Sequence, residues 1–417
     1  MSVATASLVA LVIAIVVSCV SPLNVGLLSM GFAYLVGNFM GKLKVSAIIA
    51  GFPVSLVIML IGVSYLFAIA SVNGTLEKLS KFFIKGVRGR AALLPIVYFV
   101  LAFILSSIGP GAIPITALLA PPALAAASQL GIPVFLMAVM VVHGGIAGAM
   151  SPIAATGVVA NKIIAGLGLP DVSVQVYSSA IISNVVICAI AYVLFGGLKL
   201  FKEKKTLEAS DMQVDKFTTN QVTTLLGILF LAVSVIGWKF DVGLTALTIG
   251  VILSIMNPKE ESAAIKKISW GTIVMVAGVT MLISLMGKVG GLDMLTTGIA
   301  NISSPATIAL TLSFVAGLIS VYASSTGVVL PAFLPLVPGI IAKLGGGDPI
   351  TVILCVCVGT LVVDSSPLST LGALALNAAP EQENKQKLFR NLMIWGLAMS
   401  VVGSVTSWLF FSVLGLA

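Results

Sequence analysis

Four interruptions rich in Ser, Thr, Gly and Pro stand out from a chain that is otherwise almost continuously apolar. They are "SSIGPG" at Ser106 to Gly111, "GAMSPIAATG" at Gly148 to Gly157, "SSTGVVLP" from Ser324, and Asp364 with the "SSPLSTLG" that follows it to Gly372. Residues of these types break helices. A break in apolar surroundings frees backbone N–H and C=O groups that only protein, water or a ligand can satisfy. Freed N-terminal amides carry partial positive charge and suit a carboxylate, whereas freed carbonyls with Ser and Thr hydroxyls suit Na+. The chemistry expected is reversible binding of an anion together with a coupling ion. Gly, Ser and Pro also serve close packing and kinks in membrane helices, which is the plain alternative for any one motif.

Asp364 is the one acidic residue at such a break. Burying an ionisable group in a membrane is costly, which makes it a functional candidate by default. Three roles are open to it: ligating Na+, carrying a proton, or capping "SSPLST" as an Asx turn. His143, in "VVHGGIAG", is the only histidine. Imidazole titrates near neutrality and suits proton coupling, with a hydrogen-bonded packing role as the alternative. A single histidine excludes a multi-histidine metal centre. Cys19, Cys188, Cys355 and Cys357 all lie in apolar runs, at spacings of neither a zinc knuckle nor a redox CxxC, and are expected to pack. No Arg falls in the motifs, so hydroxyls and helix ends, rather than a bidentate guanidinium, would hold the anion. Lys288 and Lys343 are expected to snorkel to the interface, with a substrate-attracting charge as the other reading.

The elements that position these residues are membrane helices. The 417 residues are 59% hydrophobic and 9% charged, with a mean hydropathy of +1.18, against roughly 25% charged in soluble domains. Apolar runs of about 20 residues, long enough to cross a hydrocarbon core as helix, recur from end to end. A soluble globule is excluded, and no segment remains for a sizeable soluble domain. The net charge of +8 lies mainly in short loops between apolar runs, the distribution of topology signals rather than of nucleic-acid contacts. The first run lacks a basic leader and a small-residue cleavage site, and is expected to persist as a helix.

The chain repeats itself, the sign of a duplicated architecture. "NVGLLSMGFAYLVGNFM" from Asn24 aligns with "DVGLTALTIGVILSIMN" from Asp241, and "GTLEKL" at Gly74 with "GGLDML" at Gly290. Ser106 pairs with Ser324, Pro133 with Pro349, and "SPIAATG" at Ser151 with "SPLSTLG" at Ser366, all at offsets of 215 to 218 residues. Each copy reads as three long helices, an amphipathic stretch, a helical pair broken at its tip, an interrupted helix and a final helix. The third helix of copy one is expected unbroken over 45–72, and the segment 257–267 as a loop.

Helix breakers between two short apolar helices suit a re-entrant hairpin that enters and leaves on one side. Each copy then crosses the membrane five times, and an odd number inverts the second copy. With both termini outside, segments 75–90, 199–219, 257–267 and 377–391 face the cytoplasm and hold 16 of the 22 Lys plus Arg, as the positive-inside rule asks. Lys42 and Lys44 fall on the outer side. In "TLEKLSKFFIKGVRGR", Leu76, Leu79, Phe82, Phe83 and Val87 share one helical face opposite Lys78, Lys81, Lys85 and Arg88, the pattern of a helix lying in the headgroups.

At the four motifs the sequence resembles the ion transporter superfamily, and within it the MatC-like dicarboxylate carriers related to the divalent anion/sodium symporters. The resemblance implies an all-α polytopic protein of the inner membrane built as an elevator-type homodimer. Its scaffold helices would be 1–72 in repeat one (1–198) and 220–287 in repeat two (220–417), with the linker 199–219 in the cytoplasm. Segments 75–88 and 292–301 would be interfacial arms, and 91–198 and 304–417 the transport elements. The implied function is uptake of a small dicarboxylate, malonate or a C4 acid, with Na+ as coupling ion and no organic cofactor. Carried over by motif, the substrate residues are Ser106, Ser107, Gly109, Ser151, Ser324, Ser325, Thr326, Ser366 and Thr370. Those for Na+ are Ser107, Thr156, Thr326, Gly327, Asp364, Ser365 and Ser369. The divalent-anion symporters carry Ser-Asn-Thr at both tips, where this chain has Ser106-Ser107-Ile108 and Ser324-Ser325-Thr326.

Rival readings are an H+-coupled carboxylate transporter and a cation/proton antiporter of the same superfamily. The antiporter asks for several buried carboxylates, and Asp364 is nearly alone. A channel lacks a charged ring or a filter-like carbonyl repeat. An enzyme lacks a nucleophile or metal partner near His143.

Overall fold

The computed structural model describes residues 2–21, 23–79, 91–202 and 216–415. Among these, all regular structure is helical. Seven helices are long and apolar enough to cross a membrane, and seven shorter ones are apolar as well.

The chain opens with α1 (Val3–Val20) and α2 (Val25–Tyr34), which a π-helical turn extends over Leu35–Met40. The third segment is not one helix: α3 (Val45–Ile49) stops, and α4 (Val54–Val72) starts after Pro53. Proline lacks an N–H and its ring clashes with the preceding turn, so the apolar run cannot stay continuous through it. Residues 75–79 begin the amphipathic segment; the rest of it, with Lys81, Phe82, Phe83, Lys85, Val87 and Arg88, lies outside the described residues. The first hairpin is α5 (Leu94–Ser107) and α6 (Ala112–Leu130). The first interrupted helix is α7 (Val134–Ala149) and α8 (Ala155–Gly166), followed by α9 (Ser173–Leu194). Linker residues 203–215 also lie outside the description.

The second copy begins with α10 (Thr219–Trp238) and α11 (Val242–Met256). The expected loop at 257–267 is instead a charged helix, α12 (Pro258–Lys267). Proline at its first position, Glu260 and Glu261 in the first turn and Lys266 and Lys267 in the last all suit the helix ends and dipole. Next come α13 (Trp270–Val289) and α14 (Gly291–Asn301). The second hairpin runs from α15 (Ile308–Ser320) through a π-helical turn (Ser325–Val329) and α16 (Leu330–Phe333) to α17 (Val337–Leu344). The second interrupted helix is α18 (Pro349–Leu361) and α19 (Thr370–Asn377), followed by α20 (Lys385–Ser407), which a π-helical stretch continues over Trp408–Val413.

Elements that the sequence repeat equates pack in equivalent pairs. Helix α2 lies on α13, and α4 on α11. Each pair crosses at two glycines: a Cβ on Gly278 would stand 1.9 Å from the Gly26 carbonyl oxygen, and one on Gly62 would stand 2.0 Å from that of Gly243. Gly26 and Gly243 correspond across the repeat, as do Gly62 and Gly278. Association inside a bilayer depends on such close backbone approach rather than on the hydrophobic effect. Asn24 and Asp241, also equivalent, cap α2 and α11 by accepting from Gly26 N at 2.9 Å and Leu244 N at 2.8 Å. In the hairpins and interrupted helices the pairing repeats, with α5 packing on α7 as α15 packs on α18. Lys343 of α17 bridges to α14, with its Nζ 3.1 Å from Asp293 Oδ1 and a further bond to Thr297.

Candidate functional site

The four interruptions meet. The first hairpin tip turns at Gly109, whose φ of +143° is a conformation glycine adopts at least cost. Phe67 of α4 fills the space where its Cβ would stand. The Gly109 carbonyl accepts from Ala155 N at 3.2 Å, binding the tip to the start of α8. Ser106 donates to the Gly145 carbonyl at 2.7 Å, and Ser107 donates to Phe103 O at 2.7 Å while accepting from Tyr177 Oη at 2.8 Å. Both hydroxyl protons are therefore engaged by backbone carbonyls.

The first interruption turns at Ser151, which is buried. Helix α8 starts with no side-chain cap. Its first amide goes to Gly109, and those of Thr156 and Gly157 have no acceptor among the described residues. A helix start with open amides is suited to an anion. Helix α19 is alike: Ser369 precedes it without capping it, and Thr370, at its first position, is exposed.

In the second copy, Ser324 caps the π-helical turn by accepting from Gly327 N at 3.1 Å. Gly327 lies against Met275 of α13, as Gly109 lies against Phe67 of α4. The buried Ser325 hydroxyl is 2.7 Å from Asp364 Oδ1 and 2.8 Å from the Thr360 carbonyl, and it also bonds the Ser320 hydroxyl. Ser369 donates to the same Asp364 oxygen at 2.9 Å. Asp364 thus collects side-chain hydroxyls rather than the backbone amides of an Asx turn. Ser365 and Ser366 are buried beside it, Ser365 reaching Val362 O at 3.4 Å and Ser366 accepting from Leu368 N at 3.3 Å.

Ser325 has one proton for two acceptors, Asp364 and Thr360. The cluster therefore holds an excess of oxygen lone pairs, which a proton on Asp364 or a hard cation would balance. An all-oxygen donor set suits Na+-like ions rather than soft metals. No group of three or more His, Cys, Asp or Glu stands together among the described residues. The two halves of the site touch where Thr156 Oγ1 lies 3.0 Å from Thr326 Oγ1.

Sequence reading missed Ser320, Thr360 and Tyr177. Ser320 stands one helical turn before Ser324 and Thr360 one turn before Asp364, so i,i+4 spacing was the available signal. His143 is buried between two partners: Nδ1 is 2.8 Å from Asn184 Oδ1, and Nε2 accepts from Trp395 Nε1 at 3.0 Å. The proton accordingly sits on Nδ1 and the ring is neutral, as a packing histidine requires. Lys288 donates to the Ala47 carbonyl at 2.6 Å, and Lys343 is held by Asp293. Cys188, Cys355 and Cys357 are free and buried; the side chain of Cys19 lies outside the description.

Residues 1–149 match the family described as the dicarboxylate carrier protein MatC N-terminus, and residues 235–416 match the citrate transporter family. The fold is similar to that of the YdaH transporter of Alcanivorax borkumensis, whose crystal structure is described as having an unusual topology. The TM-score is 0.55 at 17% identity, over 95% of this chain and 91% of that one. No curated protein matches the chain. The two transporter-family matches and the many apolar helices indicate a multi-pass membrane carrier rather than an enzyme. More particularly, its N-terminal part resembles MatC dicarboxylate carriers and its C-terminal part resembles citrate transporters, so the chain is similar to carboxylate carriers.

Proposed function

We propose that the protein imports a small dicarboxylate, of the malonate or C4 class, by symport of a cation, with Na+ as the coupling ion. The observation that carries this reading is the Asp364 cluster: a buried carboxylate, the hydroxyls of Ser320, Ser325 and Ser369 and the Thr360 carbonyl, directly beside the Thr156–Thr326 seam. The cation balances this oxygen-rich half. The anion binds beside it on the open amides of Thr156 and Gly157 and the neighbouring hydroxyls, including those of Ser151 and Thr370.

In this reading the helices of 1–72 and 220–287 form a fixed scaffold in a homodimer, and 91–198 with 304–417 move as the transport elements. The arms 75–88 and 292–301 connect them. Each copy crosses the inner membrane five times around a re-entrant hairpin, the second copy is inverted, and both termini lie outside. The contacts of Gly109 with Phe67 and Gly327 with Met275 support the division, because both tips meet the scaffold through apolar side chains that can slide without breaking polar bonds.

The test is uptake of radiolabelled malonate, succinate and citrate into proteoliposomes, with an inward Na+ gradient compared against an inward H+ gradient at equal membrane potential. Accumulation under Na+ alone is expected. Accumulation under H+ alone favours the second reading, in which Asp364 carries the proton that Ser325 lacks. Cation exchange without accumulation of any carboxylate would refute both in favour of an antiporter.

A further inference from the structure

A cavity of about 410 Å³ lies between α4, the first hairpin tip and the start of α13. Pro110 and Ala155 are among its lining residues. These residues flank the Gly109–Ala155 bond, so the cavity adjoins the junction of the motifs. Its polar lining consists of Ser64, Ser71, Ser269 and Lys267, and no carboxylate faces it. Lys267 ends α12 and spends one of its three donors on Ser71 Oγ at 3.1 Å. It is exposed and has no acidic partner among the described residues. The hydroxyls of Ser64 and Ser269 likewise have no partner there.

We infer that this cavity is an anion subsite, in which Lys267 and the adjacent hydroxyls hold a carboxylate on its way between the hairpin tip and the membrane face carrying α12. The inference rests on the carboxylate-carrier reading. A single ammonium at the mouth of a largely apolar cleft, unopposed by any acid, raises the local concentration of anions because low-dielectric walls focus its field. The subsite is one-sided. At the repeat offset of 216 to 217 residues the equivalents of Lys267 are Gly51 and Ala50, both uncharged, so the other copy supplies no matching cation. This gives the two membrane faces different affinities for the same anion.

The experiment uses the full-length Ser269→Cys protein in detergent, with labelling of the unsubstituted protein subtracted. Anionic and cationic methanethiosulfonate reagents are compared with and without malonate or succinate, and with the neutral 1,3-propanediol as control. The anionic reagent is expected to react faster. Adding Lys267→Gln should slow the anionic reagent about fivefold, the effect of one charge at contact distance in a largely aqueous site, and speed the cationic one. Lys267→Arg should retain the preference, which separates lost charge from lost folding. Malonate and succinate, but not the diol, should slow labelling. Equal rates for both reagents with no protection by either acid would overturn the subsite while leaving the carrier reading intact, provided proteoliposome uptake persists. Uptake of no carboxylate by the unsubstituted protein would overturn the carrier reading on which the subsite rests.

Discussion

The hydroxyl of Thr156, at the start of α8, lies 3.0 Å from the hydroxyl of Thr326 in the π-helical turn of the second hairpin. The bond joins residues 170 apart and belongs to both copies of the repeat. On one side it adjoins open helix amides, and on the other it is a single residue from Ser325 and the Asp364 cluster. A ligand on either side can reorient this pair without moving a helix, because a hydroxyl rotates about its own bond and both donates and accepts.

Substituting Thr156→Val and Thr326→Val singly and together measures that link. Each single change should destabilise the protein by about 1 kcal/mol, since a buried hydroxyl loses its partner, and the double change should cost less than the sum. Thermal unfolding in detergent supplies the cycle. Strictly additive values would mean that the two hydroxyls are neighbours without coupling.

Asp364→Asn keeps the size of the side chain but removes its charge. The protein should still fold, because the remaining carbonyl oxygen can accept from Ser325 or Ser369. The dependence of carboxylate uptake on the driving cation should disappear, with uptake lowered by roughly tenfold or more, as expected when a charge-assisted contact of about 1.5 kcal/mol or above is lost. Uptake that keeps its ion dependence in this variant would move the coupling site elsewhere.

The order of the elements was legible because apolar runs and a repeat over nearly the whole chain leave few alternatives, and the four polar interruptions could be read as partners from their order alone. What stayed hidden has physical reasons. A proline inside an apolar run reads equally as a kink or a stop, and only packing decides that α3 and α4 separate at Pro53. Helix α12 has no apolar periodicity to announce it, so its charges read as a loop. Ser320 and Thr360 sit inside runs where a lone hydroxyl commonly bonds its own helix, as Thr360 does to Val356. That the Thr360 carbonyl and the Ser320 hydroxyl both meet Ser325, the partner of Asp364, depends on two helices meeting, which spacing along one helix does not encode. The same holds for His143, whose two partners lie 41 and 252 residues away.

His143 is expected to matter for folding and not for coupling. Asn184 Nδ2 donates to Ala180 O at 2.8 Å, which turns Oδ1 towards the imidazole and fixes the tautomer. Protonating Nε2 would place a hydrogen against the Trp395 N–H. His143→Phe leaves the Asn184 oxygen and the Trp395 N–H unpaired, a loss of about 1–3 kcal/mol for each group. Thermal unfolding should show the loss, whereas the pH profile of the protein that folds should match that of the parent. A changed profile would return His143 to the coupling pathway.

The helix crossings predict a sharp positional contrast within α13. Gly278→Ala puts a methyl group into the Gly26 carbonyl, and Gly62→Ala does the same at Gly243. Neither obstacle is a flexible side chain, so the helices must part, at a cost of about 1–3 kcal/mol or more. Gly271→Ala, with nothing within 4 Å of the new methyl group, should stay within about 0.5 kcal/mol of the parent. Size-exclusion profiles and melting curves of the three variants in one detergent compare them directly, and equal behaviour would mean that the crossings are looser than the glycines imply.

Asp348 gives a pH prediction from outside the membrane helices. It caps α18, its carboxylate accepting from Ile350 N at 3.2 Å, Thr351 N at 2.9 Å and the Thr351 hydroxyl at 2.6 Å. Partial burial works to raise its pKa, but the hydrogen bonds from Thr351 and Ile350 outweigh it and hold the carboxyl below its ordinary value. A carboxylate whose pKa is depressed on folding stabilises the protein above its unfolded pKa of about 3.9, and that contribution fades as the pH falls through the folded value. Asp348→Asn keeps a capping oxygen but cannot titrate, so the gap in melting temperature between parent and variant should narrow as the pH drops from neutral into the acid range. Asp348→Ala loses the cap altogether and should cost about 1 kcal/mol at neutral pH. A gap that stays constant with pH would show that the Asp348 charge contributes nothing beyond the geometry of its hydrogen bonds.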